Sequence, residues 1–359
     1  MATTEEARAA RDAKLDELHD KLTGAVDQLV SGKDWARALA FAARFRSRSF
    51  NNTLLIWVQH EAAFEAGRVS EPVPSYVAGY KQWQQLGRQV QKGQPGYMIF
   101  APVTGRFASS NPSDPSSWRR LGPREKHKVN EVVRTKLVGA RPAYVWDVSQ
   151  TAGDPIPEPP SPKLLDGEAP AGLWEGLAAQ VEALGFEVLR VPDAGQIGGA
   201  DGLTDYTTRQ VSVRTDVTEA NQVATLVHEL AHVLMHDPAD QEVRQHRGIR
   251  EVEAESVALM IGAAHGMDTS GYTIPYVAGW ASSVKDTEPG EVIKATGERV
   301  RKTALAILDQ LDTHQAGSGT PPGLERDTPT RDAQAEPMRA APMPERGAAG
   351  VPVLAGRGL

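Results

Sequence analysis

The 359-residue sequence contains no cysteine, which excludes disulfide bonds, iron–sulfur clusters and thiolate metal sites. Any metal ion in this protein would therefore rest on histidine and carboxylate ligands. The sequence also lacks a run of about 18 apolar residues, and residues 1–20 are polar and acidic. These absences predict a cytoplasmic protein without a signal peptide or a membrane span.

A general excess of positive charge is also absent, since the formal net charge is −7. The charge is distributed unevenly: residues 31–144 contain 18 Lys or Arg against 7 Asp or Glu, a net charge of +11, so the remainder carries −18. The same segment holds 14 of the 21 aromatic residues. Basic side chains track a phosphate backbone and aromatic rings stack on unpaired bases, so this pairing suggests single-stranded nucleic acid as a partner.

The alternative interpretation of this segment is a core of aromatic residues beneath a solvated basic face. Phe50, Trp57, Trp83 and Phe100 lie among apolar neighbours, and we expect them in the core. The candidate nucleic-acid contacts are polar and basic residues of the same segment. They are Arg44, Arg46, Arg48, Asn51, Arg88 and Lys92.

The length predicts two domains, because single cores rarely grow beyond roughly 250 to 300 residues. We divide the chain into a leading helix (1–30), a first domain (31–152), a Pro-rich linker (153–170), a second domain (171–314) and a disordered tail (315–359). The first domain is predicted to be α/β, with a strand over Tyr97–Val103 and an exposed loop over 105–125. The second is predicted to be mainly helical with a small sheet, giving an α+β protein overall.

The stretch VATLVHELAHVLMH, residues 223–236, carries the most specific motif. Its apolar residues recur at helical intervals, and Asp216 or Thr218 would cap the helix. On that helix His228 and His232 lie one turn apart, so both imidazoles can bind one metal ion. Glu229 lies about 100° round the helix from His228, where a general base for the attacking water is needed.

A third ligand is expected from the helical segment RGIREVEAESVALMIGAAHG. Its buried stripe contains Ala254 and Ala258, and Glu251 extends that stripe by one turn. Glu255 would orient an imidazole from behind, whereas Glu253 should point away. The sequence thus predicts zinc held by His228, His232 and Glu251, with the fourth position open for water.

The competing interpretation of the motif is a core helix with two satisfied histidines. His236 continues the histidine row by one turn, and we expect it to pack or to support a ligand. If His236 were instead a fourth ligand, the zinc would be structural. The transition-state oxyanion donor stays open, with Tyr206, Tyr272 and Tyr276 as candidates.

The second domain resembles the ImmA/IrrE metallopeptidases of the gluzincin type. Their HELxH helix is followed by E-x-x-A-x-x-F-A, and here the second helix reads Glu251-x-x-Ala254-x-x-Val257-Ala258, with Val257 replacing the aromatic residue. The first domain resembles the ArdC-type single-stranded DNA-binding domain of plasmid antirestriction proteins. The matching stretches are FRSRSFNNTLLIWVQ, YVAGYKQWQQLGRQVQKGQPGYMIFAPV and AYVWDVSQTAGDPIP.

These resemblances imply a single-stranded DNA-binding protein with a zinc metallopeptidase domain, which protects the DNA of a mobile element or counters restriction. An alternative is a regulatory zinc endopeptidase that cleaves a repressor or another protein partner. A further alternative is a DNA-binding protein that zinc only stabilises.

Overall fold

The computed structural model describes residues 4–157, 167–238 and 247–324, except for Gly271, Thr273, Tyr276, Ser283, Lys285 and Asp286. The described chain has an α+β fold and belongs to one compact unit, Met1–Leu324. The centre of the predicted linker, the oxyanion candidate Tyr276 and residues 325–359 of the predicted tail lie outside the described residues. None of the described helices combines the length and the apolar character that a bilayer span requires.

Three helices begin the described chain: α1 (Thr4–Asp27), α2 (Gly32–Arg44) and α3 (Phe50–Glu65). Ser31 and Asp34 cap the start of α2 reciprocally, because each side chain accepts a hydrogen bond from the other residue's backbone N–H. The Ser49 hydroxyl accepts a bond from the backbone N–H of Asn52 at the start of α3. Local sequence thus fixes where these two helices begin.

An antiparallel sheet follows, with the strand order β1-β5-β3-β4. Its strands are β1 (Val77–Gly79), β3 (Tyr97–Ser109), β4 (Arg119–Arg120) and β5 (Val132–Asp147). Between β1 and β3 in the chain, α4 (Tyr80–Gln85) leads into β2 (Arg88–Val90), which pairs with β6 (Thr151–Gly153).

The hairpin of β3 and β5 is longer than the sequence pattern predicts. The pattern predicts a strand that ends at Val103 and a loop over 105–125, whereas β3 pairs with β5 as far as Ser109. The register shifts between Val103 and Thr104, and such an irregularity lets two strands continue their pairing. Exposed charged residues dominate the outer hairpin, so it lacks the apolar alternation that marks a half-buried strand.

The C-terminal half contains a second sheet with the order β7-β9-β8, in which β8 (Gly202–Asp205) is an edge strand. The other two strands, β7 (Glu187–Val191) and β9 (Gln210–Arg214), run parallel. The helices of this half are α5 (Leu173–Ala183), α6 (Glu219–Met235), α7 (Arg247–Ala264), α8 (Val277–Ala281) and α9 (Pro289–Leu308). Helix α7 contacts α6, and it also packs against α2 and α9.

The two halves share one hydrophobic core. The buried Trp35 of α2 donates a hydrogen bond from Nε1 to the Ser256 Oγ of α7 at 2.8 Å, and its ring lies 5.4 Å from that of Trp280. Phe50 of α3 packs directly on Gly297 of α9, where an added Cβ would overlap the ring. The two predicted domains therefore pack against each other through a common core of buried side chains.

The chain after α9 remains ordered beyond Gln315, where composition predicts that a disordered tail begins. The backbone N–H of Ala316 donates to Ala264 O at 2.6 Å, and Gly319 O accepts from the backbone N–H of Val77 at 2.9 Å. Both contacts are made by the backbone, so the Gly- and Pro-rich composition of this stretch gives no sign of them.

Candidate metal centre and nucleic-acid surface

Helix α6 places the two motif histidines on one face. Thr218 is its N-cap and accepts a hydrogen bond from Asn221 N at 3.3 Å, whereas Asp216 pairs with Arg214 at 2.6 Å and does not cap the helix. The helix buries Leu226, Val227, Leu230 and neighbouring apolar residues. Burial of that stripe against α5, α7 and the sheet fixes the rotation of the helix, and so the direction of the histidines.

His228, His232 and Glu251 come together between α6 and α7. The two imidazole Nε2 atoms lie 3.1 Å apart, and Glu251 Oε2 lies 3.6 Å from His228 Nε2 and 3.5 Å from His232 Nε2. Ligand atoms that bind a tetrahedral metal at about 2.0 to 2.2 Å are separated by about 3.3 to 3.6 Å. The two distances to Glu251 lie in this range and the 3.1 Å between the histidines lies just below it, so the three side chains fit a divalent transition metal such as zinc after a small separation of the two rings.

The charges of these groups are coupled. Burial opposes a charge on His228, but hydrogen bonds with Glu251 and Glu255 outweigh it and raise the pKa of His228 to about 9. The imidazoles of His228 and His232, which lie 3.6 Å and 3.5 Å from Glu251 Oε2, hold the pKa of Glu251 below its usual range. A metal ion that binds here must displace the proton of His228, so its affinity should rise with pH up to about 9.

Glu229 lies beside the cluster and outside the triangle of ligand atoms. Its side chain is buried, and Thr204 of the edge strand β8 donates a hydrogen bond to Glu229 Oε2 at 2.6 Å. Gly202 allows this approach, because a Cβ at that position would lie 2.7 Å from Glu229 Oε1 and 2.5 Å from Thr225 Cγ2. Sequence analysis did not identify Thr204 or Gly202, since their contact with α6 depends on the position of β8.

The side chains behind the two histidines differ. His228 Nδ1 lies 3.2 Å from Glu255 Oε2, in the contact expected for Glu255. His232 Nδ1 lies 2.9 Å from Nδ1 of His236, so His236 stands behind a ligand and outside the triangle. The prediction that Glu253 points away is wrong, because Glu253 is buried and lies 3.0 Å from His236 Nε2. Helix α9 covers that side of α7, and the periodicity of α7 alone gives no sign of this cover.

A cavity of about 800 Å³ opens over the cluster, and the edge strand β8 forms part of its wall. Two of the oxyanion candidates line it, but both hydroxyls have backbone partners: Tyr206 donates to His232 O at 2.6 Å and Tyr272 donates to Ala258 O at 3.2 Å. Arg250 also lines the cavity, and its buried Nε has no hydrogen-bond partner among the described residues. Arg250 is thus a cation directed at this cavity that sequence analysis missed.

Two protein families account for most of the described chain. Residues 14–146 match the N-terminal domain of anti-restriction factor ArdC, and residues 181–273 match the IrrE N-terminal-like domain. The chain thus contains a segment similar to an ArdC-type domain, followed by a segment similar to an IrrE-like domain. The first match begins inside α1, which the sequence pattern alone places in a separate leading segment.

An uncharacterized protein of Bacillus anthracis is 26% identical to this chain over 314 residues, which are 82% of this chain and 51% of that protein. This chain thus spans about half the length of that relative. A metal-free crystal structure of the antirestriction protein ArdC from plasmid R388 covers 81% of this chain and 97% of its own, at 18% identity and a TM-score of 0.48. The Mn(II)-bound structure covers 73% and 84%, at 19% identity and a TM-score of 0.42.

Within the ArdC-type domain, three of the predicted DNA contacts are engaged inside the protein. Guanidinium groups of Arg46, Arg48 and Arg88 donate to backbone carbonyls, those of Ala316, Val77 and Thr151 respectively. The Oδ1 atom of Asn51 is buried, without a hydrogen-bond partner among the described residues. Arg44 and Lys92 are exposed, so they alone of the six predicted residues present an available cation at the surface.

A larger basic surface lies on residues 104–141, the outer β3–β5 hairpin with its connection, which we name the basic arm. It contains nine Lys or Arg and three Asp or Glu, and two of the acidic residues, Glu125 and Glu131, pair with Arg119. The other eight basic residues are exposed. They are Arg106, Arg120, Arg124, Lys126, Lys128, Arg134, Lys136 and Arg141.

Aromatic rings stand among these charges. Trp118 is partly exposed, and the cations of Arg134 and Lys136 lie 4.9 Å and 5.3 Å from its ring centroid. The charge density of this stretch is visible in the sequence, but its Ser- and Pro-rich composition favours a loop. The predicted DNA contacts therefore lie nearer the apolar helices and omit the basic arm.

Proposed function

We propose that this protein binds single-stranded DNA through the basic arm and hydrolyses a peptide bond at the His228, His232 and Glu251 centre. We further propose that the pair of activities protects the DNA of a mobile element or counters restriction. The observation that carries the hydrolytic half is the placement of three ligand atoms within 3.1 to 3.6 Å of one another, with the buried carboxylate of Glu229 beside them in one open cavity.

His228, His232 and Glu251 would hold the metal, for which we propose zinc. When bound, zinc polarises the scissile carbonyl and lowers the pKa of water. Glu229 takes a proton from the attacking water and passes it to the leaving amine, which general acid–base catalysis requires. Thr204 holds the Glu229 carboxylate by donating to Oε2, and it thereby keeps that oxygen aimed along the cavity.

The position of His236 favours an open centre over a closed structural one. His236 directs Nδ1 at His232 and Nε2 at Glu253, so both ring nitrogens are engaged away from the triangle. Among the described residues the candidate metal group has three members, and a catalytic zinc site keeps its fourth position for water.

A peptide library tests the hydrolytic half. The zinc-loaded protein is incubated with a mixture of unstructured peptides, and mass spectrometry identifies new termini. We expect cleavage that disappears on removal of zinc with a chelator and returns when zinc is restored. A protein that carries one equivalent of zinc yet cleaves none of the library contradicts the proposed hydrolysis.

Charge reversal on the basic arm tests the DNA half. In Arg134→Glu/Lys136→Glu we expect the affinity for a fluorescein-labelled single-stranded oligonucleotide to fall at least about tenfold at low salt, because cations that neutralise phosphates are lost. The slope of log affinity against log salt should also become shallower, by roughly 0.7 for each lost phosphate contact. Fluorescence anisotropy gives both quantities.

The matched control is Lys33→Glu/Lys302→Glu, which makes the same change in net charge at two exposed residues of α2 and α9. Its affinity should stay within about twofold of the unsubstituted protein. Equal losses in both double variants would mean that net charge alone controls binding, and the basic arm would lose its assigned role.

A further inference from the structure

A chain of polar contacts runs from His232 away from the cavity into the protein. His232 Nδ1 lies 2.9 Å from His236 Nδ1, and His236 Nε2 lies 3.0 Å from Glu253 Oε2. The other carboxylate oxygen, Glu253 Oε1, accepts from Arg299 Nε at 2.6 Å. His236 and Glu253 are 1% and 5% exposed, so these contacts are sheltered from water.

The donors and acceptors of this chain fit one proton arrangement. Arg299 has only donors, so a carboxylate at Glu253 accepts from Arg299 on one oxygen and from His236 on the other. His236 then carries its hydrogen on Nε2, which leaves Nδ1 as an acceptor. Because this acceptor faces His232 Nδ1, His232 carries its hydrogen there and keeps a lone pair on Nε2. That lone pair faces His228 and Glu251.

We propose that Glu253, with Arg299 and His236, is a positioning group that fixes the tautomer and ring orientation of His232 for metal binding. The inference rests on the proposed metal centre and adds to it the C-cap residue of α6, a second residue of α7 and a residue of α9. Carboxylates that support a ligating histidine typically change metal affinity by about 10 to 100-fold when they are removed. Here the carboxylate acts through a second histidine.

The two ligand histidines allow an internal comparison. His228 is supported by Glu255, whose side chain is 26% exposed, so water can replace that carboxylate. Glu253 is 7% exposed at its side chain and stands beyond His236, which is itself buried. We therefore expect a larger loss of metal affinity from Glu253→Gln than from Glu255→Gln.

Zinc affinity of the full-length protein, measured by competition with a chromophoric chelator, tests the proposal. Glu253→Gln is expected to weaken zinc binding by about 10 to 100-fold. Arg299→Gln should weaken it severalfold, and it provides a second variant if Glu253→Gln does not fold, since the Arg299 side chain is 49% exposed. Long-range ¹H–¹⁵N spectra of the zinc-loaded protein should place the His232 hydrogen on Nδ1, and Glu253→Gln should alter the His236 pattern.

The control is His265→Asn, which changes a buried histidine bonded to Ile261 O and Thr313 Oγ1. We expect it to lower thermal stability without changing zinc affinity. If Glu253→Gln and Arg299→Gln lower the melting temperature of the metal-free protein but bind zinc as tightly as the unsubstituted protein, their role is only structural and the proposal is wrong.

A failure of the proposed metal centre can be distinguished from a failure of the positioning group alone. If the unsubstituted protein binds no zinc, or if His228→Ala and His232→Ala bind it normally, then both the proposed function and this inference fail. If those histidines are required while the Glu253 and Arg299 variants bind normally, the centre stands and only the positioning group is overturned.

Discussion

Glu229→Gln should reduce zinc-dependent peptide hydrolysis by about 10² to 10⁴-fold, the contribution that a positioned general acid–base group makes. The amide cannot take a proton from water. Zinc affinity should change little, because Glu229 lies outside the triangle of His228, His232 and Glu251. The hydrogen bond from Thr204 can persist to the amide oxygen, so the local structure is kept.

The measurement compares the initial cleavage rate of a library-derived peptide with the zinc content of the same sample. Glu219→Gln is the matched control, because it makes the same substitution at an exposed residue in the first turn of α6. If the zinc-loaded Glu229→Gln variant hydrolyses the peptide at the full rate, Glu229 is not the general base. Loss of zinc together with activity would instead make Glu229 part of the metal site.

Trp35→Ala should lower the free energy of unfolding by about 3 to 5 kcal/mol, as expected for truncation of a large core side chain. Trp35 is fully buried, packs on Trp280 and Phe50, and hydrogen-bonds to Ser256 of the IrrE-like half. Because Trp35 contacts residues of both halves, its truncation should lower the free energy of unfolding of the whole described unit. We expect one cooperative transition in urea for the unsubstituted protein.

Far-ultraviolet circular dichroism follows unfolding of the whole chain, and hydrogen exchange of the amides in α3 and α6 follows the two halves separately. Trp118→Ala is the matched control, since it removes the same side chain from the basic arm, where it is partly exposed. It should weaken oligonucleotide binding and leave the unfolding midpoint nearly unchanged. Two separate urea transitions in the unsubstituted protein would contradict the shared core, as would similar stability losses in both variants.

Sequence analysis recovered the features that local spacing determines. One turn of helix places His228 beside His232, and one helical face brings Glu251 to them, so spacing along two helices is enough to select the residues of the triangle. The N-cap of α6 is similarly local, and it is Thr218, one of the two predicted candidates. These features depend only on the geometry of a helix and on one helix-to-helix contact.

Local spacing is less informative where a partner comes from a distant segment. The helical periodicity predicts that Glu253 points away from α6, because the sequence does not show that Arg299 of α9 meets it. Composition also predicts Arg46 and Arg88 as nucleic-acid contacts, and it gives no sign that their guanidinium groups donate to the backbone carbonyls of Ala316 and Thr151. A free arginine and one that braces a loop have the same sequence signature, and only the fold distinguishes them.

The contacts of α2 and α3 with α7 and α9 also restrict how this gene could exchange parts. A new N-terminal segment acquired by recombination would need a side chain that reaches Ser256 and a ring that fits over Gly297. Helix α7 presents Ser256 toward Trp35 only five residues after it presents Glu251 toward the histidines. Inheritance of the ArdC-like segment is thus tied to that of the IrrE-like segment, and compatible changes must arise in both.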